Sequence, residues 1–206
     1  MIWIKRSRIV ILNEVARPKE FDRDTALQSA IGVFCEHGFE GTSTEALLRA
    51  MGISRQSLYD TFGDKRQLYL EALQHYNADG VADLIGALSG ASSPLKGLEM
   101  ALLDFASKPA ANAGLGCMGV SAICEFGRSD QKVTLLTETS SRTLLAALVR
   151  VIAEAKQAGE IGADVQVRPA AQFMASTIFG LKVSARGGAS PETLRGIARM
   201  AIRSLR

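Results

Sequence analysis

Between Ile53 and Phe62 the chain places Arg55, Gln56, Ser57, Tyr59 and Thr61 around only three large apolar residues, Ile53, Leu58 and Phe62. At helical spacing, Leu58 and Phe62 share one face and point inward. The five polar side chains then carry donors and acceptors with nothing inside to bond. Arg and Gln are the residues that form paired hydrogen bonds with purine edges, and hydroxyls suit phosphate oxygens. A major groove about 12 Å wide admits one such helix. The same pattern also fits an ordinary helical hairpin with a solvated polar face.

The elements that must hold this helix can be read on either side of it. Thr42, Ser43 and Thr44 are candidate N-caps for a preceding helix, with Glu45 three residues after Thr42 in the capping-box arrangement. That helix has Leu47, Leu48 and Met51 on its inner face and Gly52 as its stop. Ser54 caps the polar helix, Gly63 ends it and Asp64 caps the next one. Lys65 and Arg66 consequently lie in the first turn of a long helix. Two cations there oppose the helix dipole unless an anion docks between them.

Residues 23 to 70, with Thr42-Ser-Thr, the Gly52-Ile-Ser-Arg-Gln-Ser-Leu-Tyr turn and the Phe62-Gly-Asp-Lys65 exit, resemble the DNA-binding domain of the TetR/AcrR family of bacterial transcriptional regulators. The resemblance implies that Arg55, Gln56 and Thr61 face bases and that Thr44, Ser57, Tyr59 and Lys65 face phosphates. Asp60 departs from the pattern, standing where many members carry His, Tyr or Ala. An acid there repels backbone phosphate or accepts from a cytosine amine.

Composition agrees. With 47% hydrophobic residues in 206, the chain can bury a substantial core. Five prolines, no alternating strand-like runs and long Ala/Leu/Arg-rich segments argue for an all-α protein of about nine helices. The net charge of +3 confines any nucleic-acid surface to a local patch. Three cysteines without paired spacing suit a reducing compartment, and His37 and His75 have no metal-ligating company nearby. Four consecutive apolar residues, Ile9 to Leu12, are too few for a signal peptide or a membrane span, so a cytoplasmic protein with no membrane partner is expected. The run from Val15 resembles how family members begin, which makes the first 14 residues an upstream extension or a misplaced start. Arg17, Lys19 and Arg23 form a basic arm that suits DNA backbone or simple solvation.

The chain therefore divides into an extension and arm (1–20), a three-helix helix-turn-helix domain (21–66) and a helical ligand-binding and dimerisation domain (67–206). A helix from Asp22 or Asp24 carries Ala26, Leu27, Ala30, Ile31 and Phe34 and stops at Gly38. The long helix from Asp64 links the halves, and Gly90-Ala-Ser-Ser-Pro94 breaks the chain. Helices follow over 94–107, near 117–126 and through Leu135 to Gly159, and the last two begin near Arg168-Pro169 and Ser190-Pro191. In the last, Leu194, Ile197, Ala201 and Leu205 are expected on one inner face.

The region after residue 94 has no histidine, no Ser-His-Asp set and no phosphate loop, so catalysis is not indicated and neither cofactor nor metal is called for. Small residues beside Phe173, Ile178 and Phe179 suit close packing, and the last two helices paired with a second copy would make a four-helix interface, as the resemblance also implies. A homodimer holds two recognition helices about 34 Å apart, matching a palindromic operator. The resemblance implies a small-molecule effector among the middle helices, and a ligand that changes that separation would release the DNA. Its candidate lining is Tyr76, Phe105, Cys117, Met118, Phe126 and Phe179, with Cys124 and Phe173 also considered, which suits an apolar or aromatic molecule, although each fits plain core. Cys117 and Cys124, about 10 Å apart if helical, cannot form a disulfide but could sense electrophiles. The other alternative is a helical carrier or adaptor without specific DNA binding.

Overall fold

The computed structural model describes residues 21–107 and 116–206, and among these every regular element is a helix. The first three are α1 (Arg23–His37) and the two eight-residue helices α2 (Thr44–Met51) and α3 (Arg55–Phe62). Then come α4 (Lys65–Ser89), α5 (Pro94–Ser107), α6 (Met118–Phe126), α7 (Gln131–Gln157), α8 (Val167–Arg186) and α9 (Pro191–Arg203). The arm at 1–20 and the loop at 108–115 lie outside the described residues.

Side-chain caps explain most of the starts. Asp22, Ser43, Ser54, Asp64, Asp130 and Ser190 each accept a hydrogen bond from a backbone N–H in the first turn of the helix they precede. Gly52 ends α2 at φ 66° and ψ 30°, the left-handed conformation that a Cβ disfavours.

Two hydrophobic cores result. The first joins α1, α2, α3 and the first half of α4 around Leu27, Phe34, Leu47, Leu58, Leu68 and Tyr69, and it also takes Met118 and Ala122 from α6 and Val133 from α7. The second gathers α5, the rest of α7, α8 and α9 around Leu98, Leu102, Leu148, Ile152, Met174 and Ala198. Helix α4, 25 residues and so about 37 Å long, runs from one to the other: Leu68, Tyr69, Ala72 and Leu73 belong to the first core and Leu88 to the second. No helix among the described residues is long and apolar enough to cross a membrane.

One residue expected on an inner face points out. On α9 the buried set is Leu194, Ala198, Ala201 and Ile202, with Leu205 beyond the helix end, while Ile197 is 38% exposed. Helical spacing from Leu194 puts Ala198 and Ile202 at the centre of the inner face and Ile197 on its edge. On α7, Leu135 is 60% exposed, whereas Val133 is buried. Ile197 is not isolated: Met200 on α9 and Phe173 and Val183 on α8 are exposed as well, at 64%, 48% and 55%.

Candidate nucleic-acid interface

Helix α3 is held from beneath by Leu58 and Phe62, both in the first core with Leu47 and Met51 of α2. Its N-cap is fixed twice, because the Ser54 hydroxyl accepts from the Ser57 N–H at 3.0 Å and pairs with the Ser57 hydroxyl at 2.9 Å. This anchoring leaves Arg55, Gln56, Tyr59 and Asp60 exposed, with Ser57 and Thr61 half-buried beside them. Tyr59 is 50% exposed, and an exposed aromatic ring with a hydroxyl at its tip is poorly explained by packing. Thr44, half-buried, is the first residue of α2.

Local chemistry differs from the expected capping box. The α2 cap is Ser43, whose hydroxyl accepts from the Ala46 N–H at 3.1 Å. Thr42 turns inward instead; it is almost wholly buried, and its hydroxyl donates to the Gly38 carbonyl at 2.5 Å. Glu45, released from that role, pairs with the Arg55 guanidinium across the helix-turn-helix. Its carboxyl is held below the ordinary range, first by its own backbone N–H and then by Arg55. Arg55 is therefore not without an internal partner, as the sequence pattern alone suggests, but is held by an exposed acid from α2.

The two cations opening α4 also have neighbours. The Lys65 ammonium lies 4.4 Å from the centre of the Phe39 ring, a contact that leaves its N–H groups available to an anion. Arg66 pairs with Asp130, the N-cap of α7. The Asp130 carboxyl is lowered chiefly by the Val133 N–H, with Arg66 adding to the effect. The Asp64 carboxylate accepts from the Gln67 N–H at 2.8 Å and fixes the helix start that carries both cations.

The candidate effector residues fall into separate places. Tyr76 of α4 meets Cys117 at the start of α6, where burial, the Cys117 charge and the Cys117 side-chain hydrogen bond all raise the Tyr76 hydroxyl. Met118 is fully buried in the first core. Phe126 joins an aromatic cluster, 5.5 Å from Phe39 and 5.6 Å from Tyr69 between ring centres. Phe179 packs against the second core, away from these. The Phe105 side chain lies outside the described residues. An open groove of about 360 Å³ between α6 and α7, lined by Ile123, Gly127, Arg128, Thr134, Thr137, Glu138, Ser141 and Arg142, includes none of the six.

Cys117 precedes α6 in extended conformation (φ −91°, ψ 114°) rather than lying within it, and it is buried whereas Cys124 is exposed. The two thiols thus do not share one helix face. Sequence reasoning missed Glu45 as the partner of Arg55, Phe39 beneath Lys65, and two long-range ties at the end of α1, from Glu125 and Arg186.

Comparison with known proteins agrees with this geometry. Residues 26–72 match the model for bacterial regulatory proteins of the tetR family, and residues 94–201 match the tetracyclin repressor-like C-terminal domain. The HTH-type transcriptional regulator YezE of Bacillus subtilis is 31% identical over 186 residues, 88% of this chain and 94% of that protein. The HTH-type transcriptional repressor ComR of Escherichia coli is 29% identical over 205 residues, 97% of this chain and 93% of ComR. Among solved structures, a cysteine-substituted form of the TetR family regulator CifR, complexed with a 26-base-pair operator duplex, superposes with a TM-score of 0.81 at 31% identity, covering 92% of this chain and all of that one. Matched in both halves and along nearly its whole length, the chain belongs to the TetR family of bacterial transcriptional regulators.

Proposed function

We propose that this regulator, which is not an enzyme, acts in the cytoplasm as a homodimeric repressor, with the α3 helices of two copies reading a palindromic operator and a small molecule releasing the DNA. The observation that carries the reading is the division of α3: Leu58 and Phe62 lock it to the core while Arg55, Gln56 and Tyr59 stand exposed. Arg55, Gln56 and Thr61 are assigned to bases, and Thr44, Ser57, Tyr59 and Lys65 to phosphates. In the likeness of CifR, solved on operator DNA, the same fold supports this use. Residues 21–66 would read DNA, and 67–206 would hold the effector and the partner.

The pairing surface is assigned to α8 and α9. Phe173, Val183, Ile197 and Met200 present large apolar side chains outward from two consecutive helices, an arrangement that a second copy of the same face would cover. The effector site is assigned to the meeting of α4 and α6 at Tyr76, Cys117 and Met118, where an apolar or aromatic molecule would bear on both halves. The carrier and thiol-sensor readings are not favoured, since the whole-length relatives are transcriptional regulators.

A gel shift with DNA from upstream of the protein's own gene, at 50 and 200 mM salt, tests the reading. A sequence-specific complex whose affinity falls steeply with salt supports it. Failure to form a specific complex at any half-site spacing refutes it. For the dimer, Met200→Asp together with Val183→Asp should halve the mass measured by light scattering; an unchanged mass removes α8 and α9 from the interface.

A further inference from the structure

The turn that ends α1 is held from two sides by charged groups belonging to the rest of the chain. Its last carbonyls, which lack helical partners and carry the negative end of the helix dipole, receive Arg186 from the end of α8. The Arg186 guanidinium donates to the Cys35 carbonyl at 3.1 Å and to the Glu36 carbonyl at 3.0 Å. Immediately beyond, two amides point the other way and are taken by Glu125 of α6. The Glu125 carboxylate accepts from the Phe39 N–H at 2.9 Å and from the Glu40 N–H at 3.1 Å. Each bond has one ionised partner, the stronger class of hydrogen bond.

The backbone is shaped for this approach. Gly38 has φ +71°, and a Cβ there would collide with the Glu125 carboxylate. From the gripped turn the connection to the recognition unit is short: Thr42 bonds back to Gly38, and Ser43 caps α2. Phe39 continues it sideways, its ring lying against Phe126 of α6 and under Lys65.

We propose that Glu125 and Arg186 are positioning residues that set the orientation of the helix-turn-helix on the rest of the chain by gripping opposite poles of the α1 end. The grip rests on the reading of the chain as a DNA-binding regulator. A displacement of α6 withdraws the carboxylate from Phe39 and Glu40 and frees the turn, so that α2, α3 and Lys65 lose their fixed angle together. The contribution of these residues is to where the reading surface points and not to its contacts with DNA.

The test uses the full chain and a duplex that the wild type selects from a random double-stranded library. Amide hydrogen exchange is measured at Phe39 and Glu40, and affinity is measured on the selected duplex and on versions with one or two base pairs inserted between half-sites. Glu125→Ala should raise exchange at those two amides roughly tenfold and weaken binding at the preferred spacing by a similar factor, while narrowing the difference between spacings. Arg186→Ala should narrow it likewise, and the milder Glu125→Gln and Arg186→Lys should fall between, which covers loss of folding in the alanine forms. A spacing profile parallel to that of the wild type, with only the active fraction reduced, overturns the proposal, as does unchanged exchange. If the wild type selects no duplex, the regulator reading fails, and the exchange measurement still judges the grip.

Discussion

Arg55, the residue assigned to a base edge, is held in the free protein by Glu45, and substituting that acid should make DNA binding tighter. Both side chains are more than half exposed, at 54% and 64%, so water screens the pair and releasing it changes affinity by only a little over twofold per subunit. Two subunits must each release it to engage DNA, which compounds to about fivefold in affinity. Glu45→Gln should therefore tighten binding to a preferred duplex by about fivefold at low salt, with less gain as salt screens the pair. Fluorescence anisotropy over a salt series measures this. Removing an acid near DNA also favours binding in a general way, so the change must be repeated in Arg55→Ala. The gain should largely vanish there if it runs through Arg55. Weaker binding by Glu45→Gln, with relaxed sequence preference, would refute the reasoning, because it would mean that Glu45 steers Arg55 onto its base instead of competing for it.

Lys65→Ala should weaken binding to all sequences and make the slope of log affinity against log salt shallower by about 1.8, at 0.9 per phosphate contact in each of two subunits; an unchanged slope would remove Lys65 from the phosphates. Asp130→Ala removes the cap of α7 and should cost about 1 kcal/mol at pH 7 in thermal unfolding. Because the folded Asp130 carboxyl titrates below its ordinary value, this stabilisation is present above about pH 4 and lost as pH falls through the lower folded value, so the gap to wild type should narrow at pH 3. Maleimide labelling of the native protein should modify the exposed Cys124 and spare Cys35, whose thiol burial pushes up to about 11; rapid reaction at Cys35 would show that α1 is less well packed than described.

Helix starts and stops were legible in the residues because they are local. Asp22, Ser54, Asp64 and Ser190 cap as their positions suggest, and Gly38, Gly52 and Gly63 lie at the stops expected of them. Where three hydroxyls compete, at Thr42, Ser43 and Thr44, local pattern cannot choose. Burial of Thr42 decides the matter, since its inward hydroxyl needs the Gly38 carbonyl and leaves Ser43 to cap. Ile197 reads as core because it fits a helical stripe, but the stripe's centre depends on the angle at which neighbouring helices cross. The polar face of α3 could be read from its own eight residues. The partners of its flanks could not: Glu125 meets Phe39 across 86 residues, Arg186 meets Glu36 across 150, and no spacing rule links them. The effector candidates were the least legible, because aromatic and sulfur-bearing side chains in an all-helical chain serve ordinary packing equally well, and Phe126 and Phe179 are seen in different cores.

The central claim is that α3 reads bases through Arg55 and Gln56. Its most direct test is parallel selection of duplexes from a random library by the wild type, Arg55→Ala and Gln56→Ala. The account predicts that the wild type yields a two-fold symmetric motif, and that each variant loses preference at one base position per half-site while keeping the rest. Recovery of the same motif, at full strength, by all three proteins would contradict it.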